Sequence, residues 1–332
     1  MEQEQSTPTS LLQSTNPEIE KVLHSVDRVK AEIGKVIVGQ KDMIDMLIIG
    51  LFTGGHVLIE GVPGIAKTLT AKLLSQSIAT EFSRIQFTPD LMPTDVLGTS
   101  VFNMQSSEFT FNPGPIFSNI ILIDEINRAP AKTQSALFEV MEERQVTIDG
   151  VTYKMEYPFF VIATQNPLEQ EGTYKLPEAQ LDRFLFRIKL TYPNLVDEVE
   201  ILNRFKGDFD NRQSNTVTAV FNKDELKVCR DIVENVHIKD ELIQYIAKIV
   251  INTRDNGDLF LGASPRASLA IMKAAKAAAA MNGRDFVTPD DIQFVSKGVL
   301  NHRIILTPER EMEGYTPEDI IKDIVEKIEV PR

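Results

Sequence analysis

Cysteine is almost missing from this chain of 332 residues. Cys229 is the only one, and a lone thiol closes no intrachain disulfide, so nothing in the composition calls for an oxidising compartment. Clustered metal ligands are missing as well: His24, His56, His237 and His302 lie far apart, none in metal-ligand spacing, which leaves them structural or surface roles. No apolar run is long enough to cross a bilayer, so membrane insertion is not expected. Met1 to Thr15, rich in Gln, Ser and Thr, contains no basic residue and no apolar segment of the kind a signal peptide needs. The chain is therefore expected in the cytoplasm. A surplus of positive charge is absent too. Against 48 acidic residues stand 35 basic ones, for a net charge of −13, the opposite of the bias that holds nucleic acid non-specifically. No nucleic-acid partner is expected.

What is present reads as an ordinary soluble globular composition, long enough for two domains with separate cores. The organising stretch is Gly61-Val62-Pro63-Gly64-Ile65-Ala66-Lys67-Thr68. A short apolar strand, His56 to Glu60, precedes it, and a helix from Leu69 follows. Strand, glycine-bearing loop ending in Lys-Thr, and helix form a phosphate-binding arrangement: inward-turned backbone N–H groups and the positive helix end make a concave site for polyanions. Lys67 can reach terminal phosphates and Thr68 can offer its hydroxyl to Mg²⁺. Ala66 stands where such loops usually place a second glycine. That substitution costs little at right-handed torsions and much more at positive φ.

Taken in order, residues 1–17 are expected to be a disordered tail. Asn16-Pro17-Glu18 then opens a helix whose buried stripe is Ile19, Val22, Val26, Val29 and Ile33. The turn Val36 to Gln40, with Val38 and Gly39 at its centre, is either a wall for an adenine or a plain helix–helix connection. A strand follows at 81–87, and an inserted hairpin at 98–115. Ile120-Ile121-Leu122-Ile123-Asp124-Glu125 reads as a buried parallel strand delivering two carboxylates at its end. Asp124 would hold Mg²⁺ and Glu125 would polarise an attacking water as general base. Alternation around Asp149-Gly150 marks a second hairpin at 145–158. Another apolar strand ends in Gln165-Asn166-Pro167, where Asn166 either senses a terminal phosphate or initiates a turn. Arg183 precedes the strand 186–190, with Asp182 or Glu178 as its expected ion-pair partners. After Tyr192-Pro193-Asn194 the pattern is helical, so the domain boundary falls there, giving 18–192 and 193–332. Ile243, Ile246, Ala247, Val250 and Ile251 are expected to form one helical stripe. Arg266, in the first turn of an Ala-rich helix, opposes that helix's dipole, which an anion at the helix end would explain.

The ordered set Lys67-Thr68, Asp124-Glu125, Asn166, Arg183 and Arg266 resembles that of AAA+ ATPases: Walker A, Walker B, sensor 1, arginine finger and sensor 2. Ile123-Asp-Glu-Ile-Asn-Arg-Ala-Pro130, Ala163-Thr-Gln-Asn-Pro167 and Leu176-Pro-Glu-Ala-Gln-Leu-Asp-Arg-Phe184 resemble the MoxR family in particular, in which Ala66 is the usual residue. The resemblance runs from about residue 18 to the end. It implies an α/β P-loop NTPase fold, a five-stranded parallel sheet with flanking helices followed by an all-helical lid, with the two hairpins as the inserts of the helix-2-insert clade. It further implies ATP and Mg²⁺ bound by Val38, Gly39, the loop Gly61 to Leu69 and Asp124, with Thr68 and Asp124 on the metal, in a ring-shaped, hexameric assembly. Glu125, Asn166, Arg183 and Arg266 would be catalytic, with Arg183 acting on the neighbouring subunit, Arg187 its substitute, and Arg266 acting within its own. Family members act in a chaperone-like way on protein clients, often with von Willebrand factor A domain partners. A metal-chelatase motor, a DNA translocase and a non-hydrolysing switch are the alternatives.

Overall fold

The computed structural model describes residues 16–331 apart from 63, 106, 168–172 and 208–216. Two helices come first, α1 (Pro17–Gly34) and α2 (Lys41–Thr53), then β1 (His56–Glu60) and α3 (Lys67–Ser77). β2 (Phe82–Gln86), α4 (Pro93–Leu97) and the hairpin β3 (Gly98–Asn103) and β4 (Glu108–Pro113) lead to β5 (Ile120–Asp124) and α5 (Ala131–Glu143). A second hairpin, β6 (Gln145–Ile148) and β7 (Val151–Lys154), precedes β8 (Phe160–Gln165), α6 (Glu178–Leu181) and β9 (Phe184–Lys189). The remainder is α7 (Leu195–Phe205), α8 (Lys223–Glu234), α9 (Asp240–Arg254), β10 (Leu259–Leu261), α10 (Pro265–Met281), α11 (Pro289–Leu300), β11 (Ile305–Leu306), α12 (Pro308–Met312) and α13 (Pro317–Lys327). The helical part thus also contains one small ribbon, in which β10 pairs antiparallel with β11.

Five strands form a parallel sheet in the order β2-β5-β8-β1-β9. β1 and β5 are buried along their whole length because helices cover both faces. Side chains alternate between two cores accordingly. Val57, Ile59, Leu122 and Ile162 face one; Leu58, Ile121, Ile123 and Val161 face the other, with Leu137 and Phe138 of α5.

The first of these cores does not stop at the sheet. It runs without interruption through α1, α2 and α3 into the lid helices, where Leu226, Ile249, Ile271, Val295 and Ile321 belong to it. The expected stripe of α1 is the buried one, with Asn16 accepting from the Glu18 N–H as its cap. In α9 the stripe lies elsewhere: Leu242, Tyr245, Ile246, Ile249 and Val250 are buried, whereas Ile243 and Ile251 are exposed. Apolar residues occupy most of that helix, so periodicity alone leaves its phase open.

Candidate nucleotide site

The loop between β1 and α3 is built for backbone approach. Gly64 lies at φ +87°, a region open to glycine, and α3 begins at Lys67. Ala66 has φ +61° and ψ +19°, so the costly alternative holds at this position. Lys67 Nζ donates to the Gly61 carbonyl at 2.6 Å. Ile65 is buried and Val62 partly so; Pro63 lies outside the described residues.

A cavity of about 410 Å³ opens above the loop, lined by Gly64, Ala66, Lys67, Thr68 and Leu69 together with Arg84, Gln86, Asp124, Glu125, Thr164 and Asn166. The C-terminal ends of three neighbouring strands deliver the polar groups, as an open α/β sheet does. Asp124, the last residue of β5, is 3.5 Å from the Thr68 hydroxyl. Its other oxygen accepts from Thr164 Oγ1 at 3.1 Å. Thr164 in turn accepts from the Glu125 N–H at 3.1 Å, so one hydroxyl ties both acidic residues to β8. Glu125 itself has φ +58°, a strained conformation that turns its side chain off the end of the strand.

The edge strand β2 supplies two residues that sequence reasoning missed. Arg84 Nε donates to Asp124 Oδ2 at 2.6 Å, and Gln86 Nε2 to Glu125 Oε2 at 2.9 Å. Arg128 also pairs with Glu125, at 2.9 Å. Arg84 and Gln86 are two apart and share a strand face, and β2 lies beside β5. The only signal would have been the strand order, which no local pattern reveals.

Val38 and Gly39 fall outside this cavity. They border a second one of about 460 Å³ with Asp45, Asp197 and Arg204. Gly39 has φ +66°, a conformation that favours glycine, and a Cβ there would meet the Asp197 carboxylate of α7 at 2.9 Å.

Arg183 and Arg266 both lie outside the Lys67 cavity. Arg183 pairs neither with Asp182 nor with Glu178; its Nε donates to Glu142 Oε2 at 2.7 Å. Asp182 is taken by the buried Arg303, at 2.6 Å. Arg266 was expected over its own subunit's phosphates, yet its Nη2 donates to the other Glu142 oxygen at 3.1 Å, outside the Lys67 cavity. The cause is local. Ser264, which opens α10, donates to Asp182 at 3.4 Å and so draws the helix start to the Arg183 segment. The anion anticipated at that helix end is Glu142. Arg187 is engaged within the sheet, donating to Glu60 at 2.8 Å.

Comparison with known proteins follows the same outline. Residues 56–186 match the family model described as ATPase family associated with various cellular activities (AAA), and 251–324 match the AAA lid domain. The protein YeaC of Bacillus subtilis is 46% identical over 90% of this chain and 92% of its own length. The chaperone MoxR1 of Mycobacterium tuberculosis is 42% identical over 93% of this chain and 83% of its own. A crystal structure from Cytophaga hutchinsonii superposes with a TM-score of 0.85 at 45% identity, covering 94% of this chain and 98% of that one.

Proposed function

Because the chain belongs to the MoxR family of AAA+ ATPases, we propose that it uses Mg²⁺-dependent ATP hydrolysis to remodel, mature or insert metal into partner protein complexes as a ring of identical subunits, six in number. The observation that carries this reading is the single cavity joining Lys67, Thr68, Asp124, Glu125 and Asn166. The donor set fits the metal, since a hydroxyl and a carboxylate 3.5 Å apart are the hard oxygen ligands Mg²⁺ accepts. Bound there by Thr68 and Asp124, Mg²⁺ would offset charge on the phosphate oxygens.

The remaining steps are assigned to the chain's own groups. Lys67 neutralises the terminal phosphates, and the loop from Gly61 to Leu69 wraps them with backbone N–H groups. Glu125 takes a proton from the attacking water, released for that task from Gln86 and Arg128. Asn166 orients that water. Val38 and Gly39 are assigned to the base of the nucleotide, although they line a separate cavity with Asp197 and Arg204. Arg183 and Arg266 stand together away from the Lys67 cavity, which supports a role for both on the nucleotide of the adjoining subunit.

In this scheme 18–192 is the nucleotide-binding domain with its hairpin inserts and 193–332 the lid; of the tail expected at 1–17, residues 1–15 lie outside the described residues, and Asn16 and Pro17 already cap and open α1. Among the described residues no helix is long and apolar enough to cross a membrane, consistent with a cytoplasmic place of action. A relative that bears the name chaperone supports protein clients, and the family resemblance adds a von Willebrand factor A domain partner.

The test is Glu125→Gln. ATP binding should persist, and turnover should fall roughly 10²- to 10⁴-fold, the usual cost of losing a general base. Turnover at the native rate would remove Glu125 from the mechanism.

A further inference from the structure

Arg183 and Arg266 come from different parts of the chain, yet each ends on the same carboxylate. Glu142, in the last turn of α5, accepts from Arg183 at one oxygen and from Arg266 at the other. The guanidinium of Arg183 also lies over the Phe138 ring, one turn earlier on α5, 5.8 Å from its centroid. Beneath them a second tie runs through the backbone. Asp182 receives Ser264 from the start of α10 and Arg303 from beyond α11, and Arg303 further donates to the carbonyls of Asp182, Phe184 and Leu185. The bases of the two arginines are thus held by Asp182 and their heads by Glu142.

We propose that Glu142 is a positioning residue that holds Arg183 and Arg266 side by side as one receptor for the terminal phosphate bound in the adjoining subunit. This rests on the reading above that both arginines serve a neighbour. The bonding pattern suits the task. Arg183 uses Nε, and among the described residues its two terminal amino groups donate to nothing, which leaves the forked end available for phosphate oxygens. Arg266 uses one terminal amino group and is 60% exposed. Two guanidinium groups set close together repel each other, and a carboxylate between them offsets that repulsion while fixing both orientations. Glu142 is itself about a third exposed, so the group faces outward where another subunit can reach it. The two arginines hold its carboxyl below the usual range, Arg183 foremost, so it stays charged at neutral pH.

Glu142→Gln keeps the shape and removes the charge. Steady-state hydrolysis, nucleotide affinity and thermal melting of the full chain should show kcat reduced roughly tenfold to a hundredfold, the scale of a misplaced catalytic group. ATP affinity and melting should be unchanged. In mixtures shown to co-assemble, Glu142→Gln with Lys67→Ala should recover activity, because some interfaces pair an intact receptor with an intact phosphate loop. Glu142→Gln mixed with Arg183→Ala should not recover it, since both lesions lie on the same side. In a background that lacks both arginines, Arg183→Ala/Arg266→Ala, adding Glu142→Gln should slow the enzyme no further. A slow Arg183→Ala beside a fully active Glu142→Gln, or a further loss on adding Glu142→Gln to the background without either arginine, would overturn the role given to Glu142. A fully active Arg183→Ala would instead overturn the reading on which the proposal rests.

Discussion

Ala66 illustrates how much a single torsion decides. A left-handed conformation costs an L-residue with a Cβ about 1–2 kcal/mol, and Ala66 holds it at φ +61° next to Lys67. Ala66→Gly is therefore expected to stabilise the chain by about 1 kcal/mol, read as a higher denaturant midpoint with nucleotide affinity retained. A midpoint that stays or falls would mean that the contact of the Ala66 methyl with the apolar core outweighs the strain. The phosphate loop, Asp124, Glu125 and Asn166 were legible because each follows an apolar run, and strand ends in such sheets point into the site. Arg84, Gln86, Thr164 and Glu142 were not. Their roles arise from contacts distant in sequence, 39 to 41 residues for Arg84, Gln86, Thr164 and the Glu142–Arg183 pair and 124 for the Glu142–Arg266 pair. The contacts of the Arg266 segment were hidden for the same reason, since Ser264 meets Asp182 and Arg266 meets Glu142 from another part of the chain.

At the scale of elements, the two hairpins separate into a joint and a tip. Phe111 of β4 stacks on Tyr153 of β7 with centroids 4.3 Å apart, and both meet Phe117. These rings pack one hairpin against the other. Phe109 points elsewhere: it touches Phe102 at 5.2 Å and is 73% exposed. Alternation along a strand does not say which face another hairpin covers, so the sequence alone leaves the roles of Phe109, Phe111 and Tyr153 open between a partner surface and hairpin packing. Phe109→Ser should blunt stimulation of the ATPase by a protein client while leaving basal hydrolysis and melting intact. Phe111→Ser should lower the melting temperature instead. Equal effects of both on melting would assign Phe109 to the joint as well. The hairpin carrying Phe109 contains no Lys or Arg, which suits a protein surface better than a nucleic-acid strand.

For the molecule as a whole, two buried histidines link distant parts. His56 on β1 contacts the Met141 carbonyl and accepts from the Val161 N–H, and His302 contacts the Phe184 carbonyl. Burial pushes His56 down from 6.5 to about 4 and lowers His302 as well. Below pH 6.5 the unfolded chain therefore binds protons that the native chain refuses, so stability falls as pH drops from 6.5 towards 4. For His56 the full effect is about 3 kcal/mol. Chemical denaturation at pH 7 and pH 5 should show the loss, and His56→Gln should flatten it; an unchanged slope in that variant would clear His56 of the effect. The core that passes from the sheet through α1 and α2 into α8, α9, α10 and α11 has a mechanical meaning. A hinge needs a seam that parts cheaply, and baring a single side chain such as Leu47, Phe52 or Ile271 costs about 1.5–3 kcal/mol. A swing of the lid against its own sheet would bare such side chains, at that cost for each. In the ring proposed above, the stroke would then lie in how one rigid subunit turns against the next.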